Sequence, residues 1–587
     1  MNTIKRFFKY LKPYKISLIL TFLFVLLSVA TTLYIPILIG DAIDYIIGKN
    51  NVLFDKMIPI FYIIFTCILL SSIFSYLYEF CAARLTQGVI KNLRNDVFKK
   101  LENSSISFVD THSHGDLVSR VVNDIEQISD GLLEGFKQLY KGVITIIITL
   151  GFMFSLHYAL ALVVIVITPL SLFVAAFISK KTHHYFTKQA KIKGEIGAFV
   201  LEMIENQKII KGLNYEDEAI TQFKDYNQKL YNVGVNAQFM SSTTNPSTRF
   251  VNNLVYAAVG ILGAIFMLNS ATLTFFPLLS VGKLSSFLTY ANQYTKPFNE
   301  ISGVITELQT AISSLKRVQV ILDTPKEIDE GILKLNQPIQ EISFKNVYFS
   351  YVEEKPLIQN FNLNVKQGQK IAIVGPTGCG KTTMINLLMR FYDVSKGGIY
   401  LNQININDLS KDELRTCFGM VLQDTWIFKG TVYENVAYGK ENASKEEVIE
   451  ACKKVHAHSF IKRLPQGYDT LISANSGLSQ GEKQLLTIAR ILLVLPEVII
   501  LDEATSSIDT RTEKKITEAF DQIMQGRTSF VIAHRLSTIQ SADKILVMKN
   551  GNIIETGTHV ELLKQNGFYK QLYNSQFEHL KNEHNSF

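Results

Sequence analysis

The stretch Ile371-Ala-Ile-Val-Gly375-Pro-Thr-Gly-Cys-Gly-Lys381-Thr-Thr383 decides how this chain is read. Ile371 to Val374 form a short, uncharged, β-branched run that predicts a buried strand. It leads directly into Gly375-x-x-x-x-Gly380-Lys381-Thr382, and Thr383 to Arg390 reads as a helix. The plain alternative is a glycine-rich turn with an incidental lysine, and the strand before it and helix after it argue against that. Phosphate binding explains each residue type. Gly375, Gly378 and Gly380, with Pro376, Thr377 and Cys379 between them, let backbone N–H groups wrap an anion, and the helix N-terminus favours its charge. Lys381 then reaches the β and γ phosphates and Thr382 offers a hydroxyl to Mg²⁺, so ATP and Mg²⁺ are the expected ligands. Cys379 is either a small packing residue or a thiol that reacts when the loop is empty.

Further along, Val498-Ile-Ile-Leu-Asp-Glu503 is a second apolar strand that ends in two carboxylates. Parallel sheets bind ligands at this edge, so Asp502 is placed to hold the Mg²⁺ shell and Glu503 to face the attacking water as general base. An Asp-Glu pair after a strand is by itself usually a helix cap, and only its pairing with the phosphate loop raises it. Short strands alternate with helical segments from about residue 340, as in an α/β domain.

Before that point the texture is different. The chain has 587 residues, 47% hydrophobic and 19% charged, with 38 Phe and a single Trp, which excludes a disordered or fibrous chain. The apolar residues crowd into uncharged runs in the first half, and about 20 such residues cross a bilayer. Six crossings are expected, near 16–38, 57–79, 138–157, 159–180, 250–269 and 279–302. A cleaved signal peptide is the alternative for the first, which is too long for one. Lys5, Arg6, Lys9, Lys12 and Lys15 precede the first run, which places the N-terminus in the cytoplasm, and six crossings return the C-terminus there. The charged stretches 80–135 and 182–248 read as helical extensions into the cytoplasm. The expected division is a transmembrane domain to 320, a linker over 321–340, a nucleotide domain over 341–575 and a polar tail over 576–587. Net charge is +7 without a basic block, so no nucleic-acid partner is expected, and five scattered cysteines suggest neither disulfides nor zinc.

With these motifs in place the chain resembles the ATP-binding cassette exporters over nearly its whole length. Leu478-Ser-Gln-Gly-Glu482 looks like the signature of that superfamily, Val421-Leu-Gln423-Asp like its Q-loop, Ser506-Ser-Ile-Asp509 like its D-loop and Val531-Ile-Ala-His534 like its switch histidine. The resemblance implies an α-helical membrane domain of six helices followed by an α/β P-loop ATPase. Tyr351 would stack on adenine, Gln423 would join Mg²⁺ to the membrane half, and His534 would hydrogen-bond the γ-phosphate. Two such chains would sandwich ATP, with Ser479, Gln480, Gly481 and Glu482 meeting the nucleotide of the partner. Phe108 to Asp116 and Glu202 to Glu216 resemble the exporter loops that end in coupling helices. The implied function is ATP-driven export of amphipathic, drug-like compounds through a cell membrane, with lipid or peptide export as the alternative and an ATP-gated channel or regulatory membrane ATPase as a different class.

The resemblance departs at Glu482, where the family has glutamine. Two unit charges ~8 Å apart at an effective dielectric of 20 repel by about 2 kcal/mol, so a carboxylate here is expected to disfavour the partner's nucleotide. The segment before the signature also lacks the family's Glu-Arg pair. One regular half-site and one altered half-site suggest a heterodimer with a second half-transporter; a homodimer that tolerates Glu482 is the alternative.

Overall fold

In the computed structural model the described residues are 2–48, 51–268, 279–327, 329, 331–352, 354–422, 425–473, 477–502, 509–533 and 536–575. The chain divides into two compact units. One comprises Met1–Ser104 with His112–Thr324, and the other Ser105–Thr111 with Pro325–Phe587.

The first unit is built of long helices: α1 (Lys15–Asp44), α2 (Phe54–Glu102), α3 (His114–Leu156), α4 (Tyr158–Glu205), α5 (Glu216–Leu268) and α6 (Val281–Asp323). Among the described residues, α1 with the helical turns before it, α2, α3 and α5 are long and apolar enough to cross a membrane, while α4 begins with a shorter apolar segment, Tyr158–Leu170. α1 packs along α2 and α4 along α5, while α6 lies against α1, α3 and α5. Lipid gives no hydrophobic drive for this packing, so small residues and interhelical hydrogen bonds carry it. A Cβ on Gly282 of α6 would lie 1.9 Å from the Gly40 carbonyl oxygen of α1. Beside this contact Ser286 donates to the Pro36 carbonyl at 2.7 Å, and buried Tyr290 donates to that of Leu33. His157, fully buried, is the extended joint between α3 and α4, and its Nδ1 accepts the Leu160 N–H that opens α4. α3 carries two wide-turn segments, Arg120–Asp124 and Gly135–Tyr140, a feature common where helices serve a site.

In the second unit a four-stranded antiparallel sheet, made of β1 (Glu341–Phe349), β2 (Ile358–Lys366), β4 (Lys396–Leu401) and the two-residue edge strand Ile404–Asn405, accompanies a mostly parallel one. The parallel sheet contains β3 (Lys370–Val374), β5 (Phe418–Val421), β6 (Val498–Asp502), β7 (Thr528–Ile532), β8 (Lys544–Lys549) and β9 (Asn552–Gly557), in the order β9-β8-β3-β7-β6-β5, with only β9 antiparallel. Ile371 to Val374, Val498 to Leu501 and all of β7 are buried, as expected for parallel strands covered on both faces.

The linker after α6 is fastened to this unit. Ile332 and Leu333 donate to the Asp408 carbonyl, and Gly331 lies so close to Leu409 that a Cβ would fall 1.9 Å from its carbonyl oxygen. Glu327 receives Lys411 Nζ at 2.9 Å and Arg415 at 3.0 Å. Burial alone would raise the Glu327 carboxyl, but these two cations hold it below the usual carboxylate range.

Candidate nucleotide site

The phosphate loop joins β3 to α7 (Lys381–Leu388), an eight-residue helix whose first-turn N–H groups have no partner within the helix. Gly378 (φ 81°) and Gly380 (φ 99°) take left-handed conformations that only glycine adopts without strain. Gly375 must be small because a Cβ there would lie 2.3 Å from the Met548 carbonyl oxygen. The Gly551 N–H donates to the Cys379 carbonyl at 3.1 Å and ties the loop to the β8–β9 turn.

Lys381 is 9% exposed, and its ammonium donates to the carbonyls of Gly375 (2.7 Å) and Pro376 (3.1 Å). Among the described residues no carboxylate lies within 4 Å of it. A buried cation held only by carbonyls is expensive until an anion arrives, and the exposed rim Pro376–Gly378 leaves room for one. Thr382, at the first turn of α7, is exposed and able to meet a metal ion. The loop therefore fits a nucleotide polyphosphate with Mg²⁺. Cys379 is 3% exposed, and burial raises its thiol pKa although nearby Lys381 opposes the shift. Burial and low thiolate content make it a packing residue rather than a reactive thiol.

Tyr351 stands beside α7. Its hydroxyl donates to Thr383 Oγ1 at 3.2 Å, and its ring, half exposed, meets Phe349 and Tyr392 edge-to-face at 4.9 and 5.0 Å. Such a ring is held upright with area left for stacking a base. Tyr392 is a residue that the sequence did not flag. Its hydroxyl donates at 2.6 Å to Asp110, on the short helix Ile106–Asp110 that folds with this unit. Burial, followed by the bond to Asp110, raises the Tyr392 hydroxyl well above its ordinary pKa. The contact joins residues 282 positions apart, so no local pattern announces it.

Asp502 ends β6 at the same sheet edge as the phosphate loop, two strands from β3, or roughly 10 Å at ordinary strand spacing. That leaves space for a hydrated divalent ion. Glu503, Gln423 and His534 lie outside the described residues. Asp509 caps α9 (Thr510–Met524): its carboxylate accepts the Thr512 N–H at 2.9 Å, and this bond lowers its pKa.

The signature opens α8 (Gln480–Val494) with Ser479 as N-cap. Here the structure gives Glu482 a local reason. Ser479 Oγ accepts the Glu482 N–H at 3.3 Å, and Glu482 Oε2 accepts the Ser479 N–H at 2.9 Å and its hydroxyl at 3.1 Å. This reciprocal capping box satisfies two orphan donors of the helix start. It also fixes the carboxylate directly against the hydroxyl that the resemblance assigns to the nucleotide. Gln480 Nε2 donates to Thr425 at 3.3 Å, and Gly481 is buried.

Two family models match the chain: the ABC transporter transmembrane region over residues 18–298 and the ABC transporter domain over 358–506. An uncharacterized ABC transporter ATP-binding protein of Bacillus subtilis is 38% identical over 98% of this chain and 94% of its own. A fatty acid ABC transporter ATP-binding/permease protein of Mycobacterium tuberculosis is 38% identical over 83% of this chain and 76% of its own. The solved structure of a bacterial Atm1-family ABC exporter with ATP bound superposes with a TM-score of 0.77 at 27% identity, over 96% of this chain and 98% of that one. Membrane helices and a phosphate-loop ATPase fused in one chain therefore make this protein a member of the ABC transporter family, a half-transporter of the exporter type that couples ATP hydrolysis to transport.

Proposed function

We propose that the chain crosses the cell membrane six times with both termini in the cytoplasm, pairs with a second half-transporter, and moves amphipathic compounds, drug-like or lipid, out of the cytoplasm or inner leaflet. The observation that carries the substrate class is an apolar cavity of about 650 Å³ between α1 and α3, lined by residues such as Phe22, Leu26, Phe136, Val143 and Ile147. A cavity of this size suits a drug-sized or acyl group. The fatty acid named for the mycobacterial relative agrees with that chemistry.

In the ATPase, Lys381 would bind the β and γ phosphates, and Thr382, Gln423 and Asp502 would hold Mg²⁺, which supplies charge neutralisation. Glu503 would accept a proton from the attacking water, His534 would hold the γ-phosphate and Tyr351 would stack on adenine. Ser479, Gln480, Gly481, Glu482 and Asp509 would face the nucleotide of the opposite chain. Closure of the two ATPase domains would drive the membrane helices between two states.

A heterodimer is favoured by the fixed carboxylate of Glu482, which would stand against the partner's γ-phosphate. Co-purification of a tagged with an untagged copy tests it: no self-association supports a distinct partner, and self-association gives a homodimer. Uptake of a fluorescent amphiphile into inverted vesicles tests transport. ATP-dependent accumulation abolished by Glu503→Gln supports the pump, and passive conduction indicates a channel.

A further inference from the structure

Cations gather in two places in the membrane unit. One is a polar cleft of about 600 Å³ between α5 and α6, lined by residues that include Arg249, Asn252, Thr289, Asn292, Gln293 and Lys296. The other is the outward face of α4, which the transport cycle leaves without a role.

At about 100° per residue, Leu162, Val166, Leu170, Phe173 and Phe177 share one side of α4. Each is at least half exposed, while Leu160, Ala161, Val164 and Thr168 on the opposite side are buried. The exposed side runs on without a break into Lys180, Lys181, His184, Lys188 and Lys191, all exposed. These lysines are spread out in sequence, and the helical period gathers them within roughly a third of the circumference. Lys181 Nζ lies 5.5 Å from the centre of the Phe177 ring, where the apolar part of the stripe meets the cationic part.

The charge is not compensated. Residues 135–194 hold no acid. α5 runs along α4 with Tyr226 beside Phe199 and Gly234 beside Gln189, and its residues 226–248 hold no acid either. Among the described residues no carboxylate lies within 4 Å of Lys180, Lys181 or Lys188, and Lys191 meets only Glu195, one turn on along α4 at 3.9 Å. Like charges three apart on a helix, as in Lys188 and Lys191, are unfavourable by themselves. Depth follows from the uncharged run 158–179, which covers roughly 30 Å of hydrocarbon. Lys180 and Lys181 then stand at the hydrocarbon boundary. Lys188 stands roughly 10 Å beyond, within the combined reach of a lysine stem and the surface potential of an anionic leaflet.

We infer that this face of α4 is a docking surface for anionic phospholipid: its lysines hold phosphodiester headgroups while Leu162 to Phe177 lie against the acyl chains. The inference goes beyond the transport reading and shares with it only that α4 crosses the membrane.

Photo-crosslinking to the full chain in phosphatidylcholine nanodiscs tests it, with a trace of phosphatidylglycerol or phosphatidylcholine carrying the same diazirine at the head end of one acyl chain. Phosphatidylglycerol should label the stripe at least about fivefold more than phosphatidylcholine, and the excess should shrink as salt rises from about 0.05 to about 0.5 M. K180Q/K181Q/K188Q/K191Q should remove the excess, and K180R/K181R/K188R/K191R should keep it. Equal labelling by the two lipids in the unsubstituted protein, a comparison that needs no variant, overturns the proposal. So does an excess that survives the four glutamines. Absence of label from both lipids also overturns it and gives the face to a second protein chain. The experiment uses no ATP, and a nanodisc offers both lipids in both leaflets, so the two readings fail separately. Label on Leu162 to Phe177 without lipid preference removes the headgroup surface and keeps the crossing, and a failed transport assay leaves the labelling result as it is.

Discussion

Among the described residues, Lys381 in the ATPase unit and Arg249 in the membrane unit have no carboxylate within ion-pair distance and Lys296 has only Glu300, yet they are held in opposite ways. Lys381 is gripped by two backbone carbonyls inside a loop whose glycines permit one geometry. Arg249 and Lys296 project from helices among amides that can turn. The first arrangement reads the spacing of a polyphosphate and admits little else. The second is carried by side chains that can change direction and so fixes a charge without fixing a shape. Rigidity therefore belongs to the phosphate loop and adjustability to the polar cleft of the membrane unit.

The sharpest way to break that contrast is Lys381→Ala. Losing a fixed charge at the transferring phosphate should lower ATP turnover by about 10² or more, measured as phosphate release. Turnover within a few-fold of normal would show that the loop does not depend on its lysine. Glu482→Gln comes next. Glutamine still completes the capping box, so thermal stability should stay close to normal while removal of the charge raises ATP affinity or turnover, by up to roughly 30-fold if the full repulsion of about 2 kcal/mol is felt. A fall in turnover would show that the carboxylate assists rather than opposes the nucleotide.

Glu327→Gln should destabilise the ATPase unit by about 1–3 kcal/mol, since it leaves Lys411 and Arg415 partly buried and unpaired. The pH dependence has a definite sign. The folded carboxyl is depressed, so its contribution is complete above the unfolded pKa of about 4.3 and is lost as pH falls through the lower folded value. Melting curves of variant and parent should converge in that acid range and separate at neutral pH. The smallest effect belongs to Tyr392→Phe. It removes the hydroxyl bond to Asp110, a loss of about 1 kcal/mol, and should leave basal ATP turnover nearly intact while cutting its stimulation by amphiphile roughly two- to five-fold. Unchanged stimulation would remove Asp110 and Tyr392 from the path between the loop and the nucleotide.

What the sequence disclosed follows from how local each feature is. The phosphate loop is legible because phosphate geometry dictates glycine and lysine at fixed offsets, and the strand before it announces itself by its apolar run. Ser479-x-x-Glu482 is equally local, a capping-box pattern, but reading it only as an altered signature hid its role at the helix start. The contacts of Tyr392 with Asp110 and of Glu327 with Lys411 join residues far apart in sequence, and only the fold brings them together. The polar cleft lies between these cases. The α6 stripe through Thr289, Asn292, Gln293 and Lys296 is visible as a helical period, but its meeting with Arg249 and Asn252 is not. Hydropathy locates apolar runs but does not by itself fix how many helices cross the membrane, because α4 turns from apolar to charged along one continuous helix.

The most direct test is to measure ATP hydrolysis and amphiphile movement together in proteoliposomes containing the purified full chain with its partner. The account predicts that hydrolysis drives uphill movement of the amphiphile and that both stop in Glu503→Gln. Hydrolysis without displacement of the amphiphile, or displacement that continues in Glu503→Gln, would contradict it.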